Sequence, residues 1–575
     1  MKKIILLPLA ILLISLLTGT EYSENKVVVE NQNNSISSNI SSNIKKVSEV
    51  IRYKRQTEDF SNIKLFDFSE NTGENDNSSS FVKKATILKL NTGQLRNFIG
   101  AQKENIEFKI PVNERDFAVL ELTRSQPVSD DFTIFEKSGN GDKYVNYKHG
   151  LHYNGIIKGN EKSLASLSVF DNMVVAIISD ENGNYVLGSI TNNDNSNSDN
   201  YIFYNDADLN ISNNYKCGVE DYEEKFIRPY IPNEVSNENT QTDDPNRLPI
   251  KVYFEADFKM YQDNGSNTQN VGNFITAMFN NVKTIYQNEQ IPFVVSSVGV
   301  WTANDPYSGL NDSYLVLLRF GGNTRDNFQG NIAHLLSTRN AGLGGIAWIR
   351  VMCSNYSAQD SAGRFAFSNM ENNYQGYPTF SWTVQVITHE MGHSIGSRHT
   401  HSCVWPVGGG LNRAIDSCYN AEGNCFTQLR PRVGTIMSYC HLWQANQGGG
   451  INLASGFGPL PGDTIRLRYA QASCLTQELN SSEQPSTFDL YQNSPNPFNP
   501  ETKIRFALPE EANVTFKIYD LSGKTIAVLL SGKYHAPGFY DVVFRSTEYN
   551  ISSGIYFYEL NTGNFREVKR MVLVK

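Results

Sequence analysis

The stretch His389-Glu390-Met391-Gly392-His393-Ser394-Ile395-Gly396-Ser397-Arg398-His399 decides how this chain is read. It has the pattern H-E-x-x-H-x-x-G-x-x-H, and Gly434-Thr435-Ile436-Met437-Ser438-Tyr439 comes further along the chain. The run before it, Trp382-Thr383-Val384-Gln385-Val386-Ile387-Thr388, is apolar and free of Gly and Pro, which predicts a buried helix entering the pattern. On that helix His389 and His393 lie one turn apart on one face, so two imidazoles can grip one ion. Glu390 points aside, toward a water held by the metal rather than the metal itself. Gly396 permits a sharp turn, after which His399 supplies a third nitrogen and a fourth tetrahedral position stays open. This is the layout of a catalytic zinc site. With 9 His and 42 Gly in 575 residues, the five fixed positions would arise by chance on the order of 10⁻⁵ times per chain of this length. His401 is an alternative third ligand, although the spacing from the glycine turn selects His399.

The whole pattern, with Met437 and its turn, resembles the metzincin zinc endopeptidases. The flanking Cys353, Thr400-His401-Ser402-Cys403, Ile415-Asp416-Ser417-Cys418 and Thr435-Ile436-Met437-Ser438-Tyr439-Cys440 are similar to the bacterial branch of the reprolysin or adamalysin family. The resemblance implies a zinc metalloendopeptidase of the EC 3.4.24 class. One zinc ion would sit on His389, His393 and His399, with Glu390 activating the zinc-bound water and Met437 forming an apolar floor. Tyr439 corresponds to a tyrosine that can donate to an oxyanion in astacins and serralysins, or it anchors the turn. Lys251 stands where many adamalysins carry a calcium-binding Glu, and an ammonium cannot ligate a cation, so no calcium is expected. His334 and His441 sit in no ligand spacing and are read as structural. An alternative to the enzyme is a catalytically weak or inactive surface adhesion or scaffold protein on the same fold.

A chain of 575 residues exceeds one hydrophobic core and divides into several units. The net charge of -9 and the lack of basic clusters argue against nucleic acid as a partner. Lys2-Lys3, the apolar run Ile4 to Leu17 and Thr18-Gly19-Thr20 predict a secretory signal peptide over 1–20. No later run is long and apolar enough to predict a transmembrane segment. Export implies an oxidising compartment in which six of the 7 cysteines can pair.

Residues 21–247 read as a propeptide. It opens with an Asn/Ser-rich disordered spacer to about residue 60. A β-rich part comes next, with alternating runs such as Phe117-Ala118-Val119-Leu120-Glu121-Leu122 and Met173-Val174-Val175-Ala176-Ile177-Ile178. Tyr153-Asn154-Gly155-Ile156-Ile157-Lys158-Gly159 is similar to reprolysin propeptides, and Lys216-Cys217-Gly218-Val219 to the core of their cysteine switch, with Tyr215 in place of the usual Pro. A thiolate is a good zinc ligand and would fill the open position, making Cys217 the zymogen zinc ligand. Cys217 is otherwise a disulfide partner or an unused thiol.

The α/β catalytic domain is expected over 248–478. Ile250 to Asp257 and Pro292 to Trp301 read as strands, Asn270 to Tyr286 as a helix, and Asn331 to Leu336 and Gly345 to Ile349 as further strands. Gly344 to Ile349 is a candidate edge strand for binding an extended peptide. The expected disulfides are Cys353 with Cys474, Cys403 with Cys440, and Cys418 with Cys425. After a linker at 479–488, residues 489–575 alternate with Gly/Pro turns over about seven short strands, predicting an antiparallel β-sandwich. Tyr491-Gln492-Asn493-Ser494-Pro495-Asn496-Pro497-Phe498-Asn499-Pro500 and the alternating runs up to Lys575 resemble the C-terminal sorting domain of type IX secretion cargo; the alternative is an accessory sandwich. That resemblance implies protein or peptide substrates met outside the cell or at its outer surface, after export through the periplasm.

Overall fold

The structure, a computed structural model, describes residues 45–71, 80–139, 141–191, 197–219, 247–339, 342–370, 373–406, 412–425, 430–443, 449–475, 487–493, 495–549 and 551–575. The expected signal peptide, most of the spacer, the linker after Val219 and most of the linker before Phe488 lie outside these residues. The chain is multidomain, mixed α/β and rich in sheet.

Two large sheets, with two small two-stranded ones, carry the described residues up to 475. The alternating runs of the N-terminal part form a ten-stranded sheet in which neighbours are almost all antiparallel. Gly155 is required where two of its strands cross closely, since a Cβ there would meet Glu121 O at 1.9 Å. The second sheet has seven strands, in the order Gly345–Ala347, Phe365–Asn369, Ile332–Ser337, Ile250–Ala256, Phe293–Trp301, Val128–Lys137 and Lys143–Val145. Gly345–Ala347 is the edge strand, antiparallel to its neighbour.

The last two strands of that order precede residue 248, so the boundary expected between propeptide and catalytic sheet is crossed. Val128–Lys137 runs parallel to Phe293–Trp301, and Lys137 Nζ reaches the fully buried Glu255 at 2.9 Å. Glu255 also accepts from Tyr253, Trp301 and Tyr307, each at 2.6 Å, so its charge is fully solvated by protein donors. Strand addition of this kind uses main-chain groups, which leave little trace in side-chain pattern.

A second difference is the helix Val47–Thr57, inside the segment expected to be disordered. Val47 and Ile51, one turn apart, are buried, and Val47 N donates to Asn288 Oδ1 at 3.0 Å. Tertiary contact overrides the polar composition here.

The helix Thr268–Asn288 is buried on most of its circumference. One side packs on the sheet and on the helix Phe380–Ile395, where Tyr286 Oη donates to Thr388 O at 3.0 Å. Another side presents amides to the N-terminal sheet: Asn280 Nδ2 donates to Tyr153 O at 2.9 Å, and Gln287 Oε1 accepts from Asn154 at 2.8 Å. The Phe380–Ile395 helix is buried from Ser381 to Ile395 and ends at Gly396, whose φ of 138° only glycine adopts readily.

The three disulfides are Cys353–Cys474, Cys403–Cys425 and Cys418–Cys440. The expected pairs Cys403–Cys440 and Cys418–Cys425 are therefore corrected. Glu422 N donates to His401 O at 3.0 Å and Cys403 N to Glu422 O at 2.9 Å, a parallel bridge that sets Cys403 beside the end of its own loop. Trp443 Nε1 donates to Cys418 O at 2.7 Å, which holds Cys418 against the turn containing Cys440.

Residues from Asp489 onward form a three-stranded and a four-stranded sheet, each antiparallel. They share one core built from alternate residues, including Ile504, Phe506, Val514, Phe516, Ile518 and Tyr558.

Candidate metal centre

Helix geometry sets His389 above His393, and the glycine turn brings His399 to them. Their Nε2 atoms converge: His393 to His399 is 3.1 Å and His399 to His389 is 3.2 Å. Each imidazole is fixed through its other nitrogen. Nδ1 of His389 faces Ile436 O at 2.8 Å, that of His393 faces Ser397 O at 2.8 Å, and that of His399 faces Glu422 Oε1 at 2.6 Å. Acceptors at every Nδ1 require N–H there, so three Nε2 lone pairs face one point with no donor between them. Such an arrangement can hold a metal cation. A tetrahedral zinc with bonds of about 2.05 Å holds its nitrogens about 3.3 Å apart, close to the spacing seen.

Burial pushes His389 well down and His393 and His399 each down to about 3, so all three are neutral, the ligating form. Burial alone would raise Glu422, but hydrogen bonds from His399 and His401 outweigh it and hold that carboxyl below its usual range. Burial pushes Glu390 up to about 8, against the opposing hydrogen bonds from Tyr215 and Cys217; a bound cation would lower it.

Cys217 lies outside the three disulfides, and its Sγ and the three Nε2 atoms all lie within 4.8 Å of one another. The segment around it lies along the edge strand in parallel: Gly218 N donates to Gly345 O at 2.7 Å and Gly345 N to Lys216 O at 3.2 Å. Cys217 Sγ is 3.6 Å from Glu390 Oε2, and the Tyr215 phenol donates to Glu390 Oε1. Gly345 has to be glycine for this approach, because a Cβ would meet Glu390 Oε1 at 2.3 Å and Tyr215 Oη at 2.6 Å.

Met437 is fully buried, and Thr400 N donates to its carbonyl at 3.0 Å, tying the chain after His399 to this turn. Tyr439 Oη accepts from Cys217 N at 2.9 Å and donates to Cys217 O at 3.1 Å. His401 stacks on His399, centroids 4.9 Å apart and ring planes nearly parallel, with Nε2 3.2 Å from Glu422, and lies outside the converging group. Sequence reasoning missed Glu422, Gln385 and a role for His441, since none holds a motif position, and it noted Tyr215 only as a departure from the usual Pro. His441 Nε2 donates to Tyr215 O at 2.8 Å while its Nδ1 accepts from Gln385 Nε2 at 3.0 Å.

Residues 247–446 match metallo-peptidase family M12. The M12 segment contains the convergent histidines, Glu390 and the Met437 turn, and the family implies zinc as cofactor and peptides as substrates. Residues 494–575 match the secretion system C-terminal sorting domain. The M12 segment supports a metalloprotease, and the tail indicates export to the cell surface or secretion. No helix among the described residues is long and apolar enough to cross a membrane.

Solved structures similar to this chain include "Structure of a chaperone-substrate complex", at 16% identity and TM-score 0.21, covering 39% of this chain and 36% of that one. The chain thus spans about a third of that structure's length. Wild-type OgpA from Akkermansia muciniphila matches at 12% identity and TM-score 0.19, covering 60% of this chain and 97% of that one. Catalytically inactive OgpA in complex with an O-glycopeptide matches at 9% identity and TM-score 0.20, over the same shares.

Proposed function

We propose that the chain is the zymogen of a secreted zinc metalloendopeptidase. The observation that carries this reading is the convergence of Nε2 of His389, His393 and His399 with Cys217 Sγ, all within 4.8 Å, beside the carboxylate of Glu390.

His389, His393 and His399 would hold the ion. Zinc, when bound, supplies Lewis acidity that polarises a scissile carbonyl and acidifies water. Glu390 takes a proton from the attacking water and returns it to the leaving amine. A peptide pairs with the main chain of Gly345–Ala347, as the pro-segment does, so that its carbonyl is presented to the histidine cluster. Tyr439, whose phenol reaches the main chain of the residue facing the histidines, donates to the oxyanion. Met437 packs beneath the imidazoles and keeps the site dry.

In the precursor Cys217 takes the position the substrate carbonyl needs, and Tyr215 occupies the base. The same scheme takes 1–20 as signal peptide, the pro-part to about 247, 248–478 as protease and 489–575 as sorting domain, with Val128–Lys137 and Lys143–Val145 of the pro-part paired into the protease's sheet.

Glu390→Gln tests the reading. The processed variant should retain stoichiometric zinc while kcat falls by about 10²- to 10⁴-fold. Near-normal turnover would sink it.

A further inference from the structure

The pro-segment is a peptide already lying in the cleft, and its main-chain contacts mark what the cleft offers to any peptide. Gly345 N and O take Lys216 O and Gly218 N; Tyr439 Oη takes both main-chain groups of Cys217; His441 Nε2 takes Tyr215 O at 2.8 Å. The first two are an edge strand and a phenol. The third is an imidazole, buried and outside the metal cluster.

Its orientation is set from the metal helix itself. Gln385 lies one turn before His389, so it projects from the same side of the helix. Its Nε2 lies 3.0 Å from His441 Nδ1, while Tyr215 O, 2.8 Å from His441 Nε2, calls for the proton on Nε2, toward the cleft; the Ser438 main chain also bonds to this ring. Gln385 Oε1 in turn accepts from Asn213 at 3.4 Å, so the amide orientation is fixed at both ends. When the pro-segment leaves, this N–H loses its carbonyl acceptor. A peptide substrate carries the same kind of acceptor.

We propose that His441 is a peptide-binding residue of the mature cleft: its Nε2–H donates to a substrate main-chain carbonyl, two residues from the one facing the histidine cluster, and Gln385 is the positioning residue that fixes its tautomer. This rests on the peptidase reading above. The contact is to main chain, so it adds affinity for extended peptides of any sequence and sets a minimum substrate length, not a side-chain preference.

The test uses the zinc-loaded enzyme after natural processing, with peptides lengthened residue by residue on each side of the cleaved bond. Wild type should show a step in kcat/KM when the peptide first reaches the His441 subsite. In His441→Phe that step should shrink by about tenfold, expressed in KM rather than kcat. Gln385→Leu should reproduce the effect, and the double variant should be no worse than His441→Phe alone, since both act through one hydrogen bond. An undiminished step, or a loss equal at every length, would overturn the proposal. Hydrogen exchange of residues 213–219 in the full chain reads the same contact without hydrolysis: it should quicken in His441→Phe, and unchanged exchange would refute the contact. If wild type cleaves nothing, the peptidase reading fails, and the exchange measurement still decides whether this imidazole holds a peptide carbonyl.

Discussion

The phenol of Tyr215 donates its proton to Glu390 Oε1, while Cys217, two residues on, faces the three metal-site histidines. One short segment thus engages both halves of the machinery, the metal position and the base. A thiol block alone would be lifted by removing the thiol; a capped carboxylate would not. The Cys217→Ser precursor should therefore stay well below processed enzyme in activity, and adding Tyr215→Phe should raise it further, by about tenfold for the loss of one hydrogen bond to a charged group. Assay of unprocessed single and double variants checks this. Equal activity of the two would show that Tyr215 contributes nothing to inhibition.

Glu422 holds His399 through Nδ1 at 2.6 Å and keeps its own main chain in place by pairing with His401 and Cys403. Glu422→Gln preserves shape and those main-chain bonds but removes the charge that favours N–H at Nδ1. Zinc affinity should fall about 10- to 100-fold with the fold intact, as for other outer-sphere carboxylates. Competition with a chelator measures it; unchanged affinity would mean that the glycine turn and Thr400 suffice to orient His399.

Much of the centre is legible in the sequence because it is local. His389, Glu390 and His393 share one helical turn and Gly396 ends it, so four of the roles come from spacing. What joins segments far apart in the chain is not legible there. Glu422 and His441 approach only once the loops close, and the disulfide partners of Cys403 and Cys418 depend on the His401–Glu422 and Trp443–Cys418 hydrogen bonds. Val128–Lys137 has an alternating pattern that fits either sheet; its parallel pairing with Phe293–Trp301 is decided by main-chain geometry and by Lys137 finding Glu255. The Val47–Thr57 helix is polar in composition, and two buried residues against Asn288 determine it.

His334 lies on the strand Ile332–Ser337, tilted against the Phe254 ring, with Nε2 2.8 Å from Ser368 Oγ. Burial pushes its pKa down to about 3. The unfolded chain binds a proton there below about 6.5, and the folded chain does not until much lower pH, so acid favours unfolding and stability is lost as pH falls from about 6.5. By pH 5 the loss from this one group should reach about 2 kcal/mol. His334→Gln, which keeps a polar reach to Ser368, should lose that much less stability than wild type between pH 7 and 5. Denaturant titrations at both pH values decide it, and parallel pH dependence would mean that His334 titrates normally in the fold.

The segment matching the sorting domain has its own core, with Phe506, Phe516, Tyr558 and Leu560 among its buried residues. None of the seven cysteines falls in it. A domain with a separate core can be removed without opening the other. Truncation at Ser482 should leave a folded, zinc-binding protein whose turnover of a short peptide matches that of the full chain, whereas in the native host it should accumulate in the periplasm, the point to which a signal peptide alone delivers it. Fractionation of host cells and a peptide assay on the two forms read these outcomes separately. Normal extracellular levels of the truncated protein would contradict the export role, and a large loss of short-peptide turnover would instead make this domain part of the active site's support.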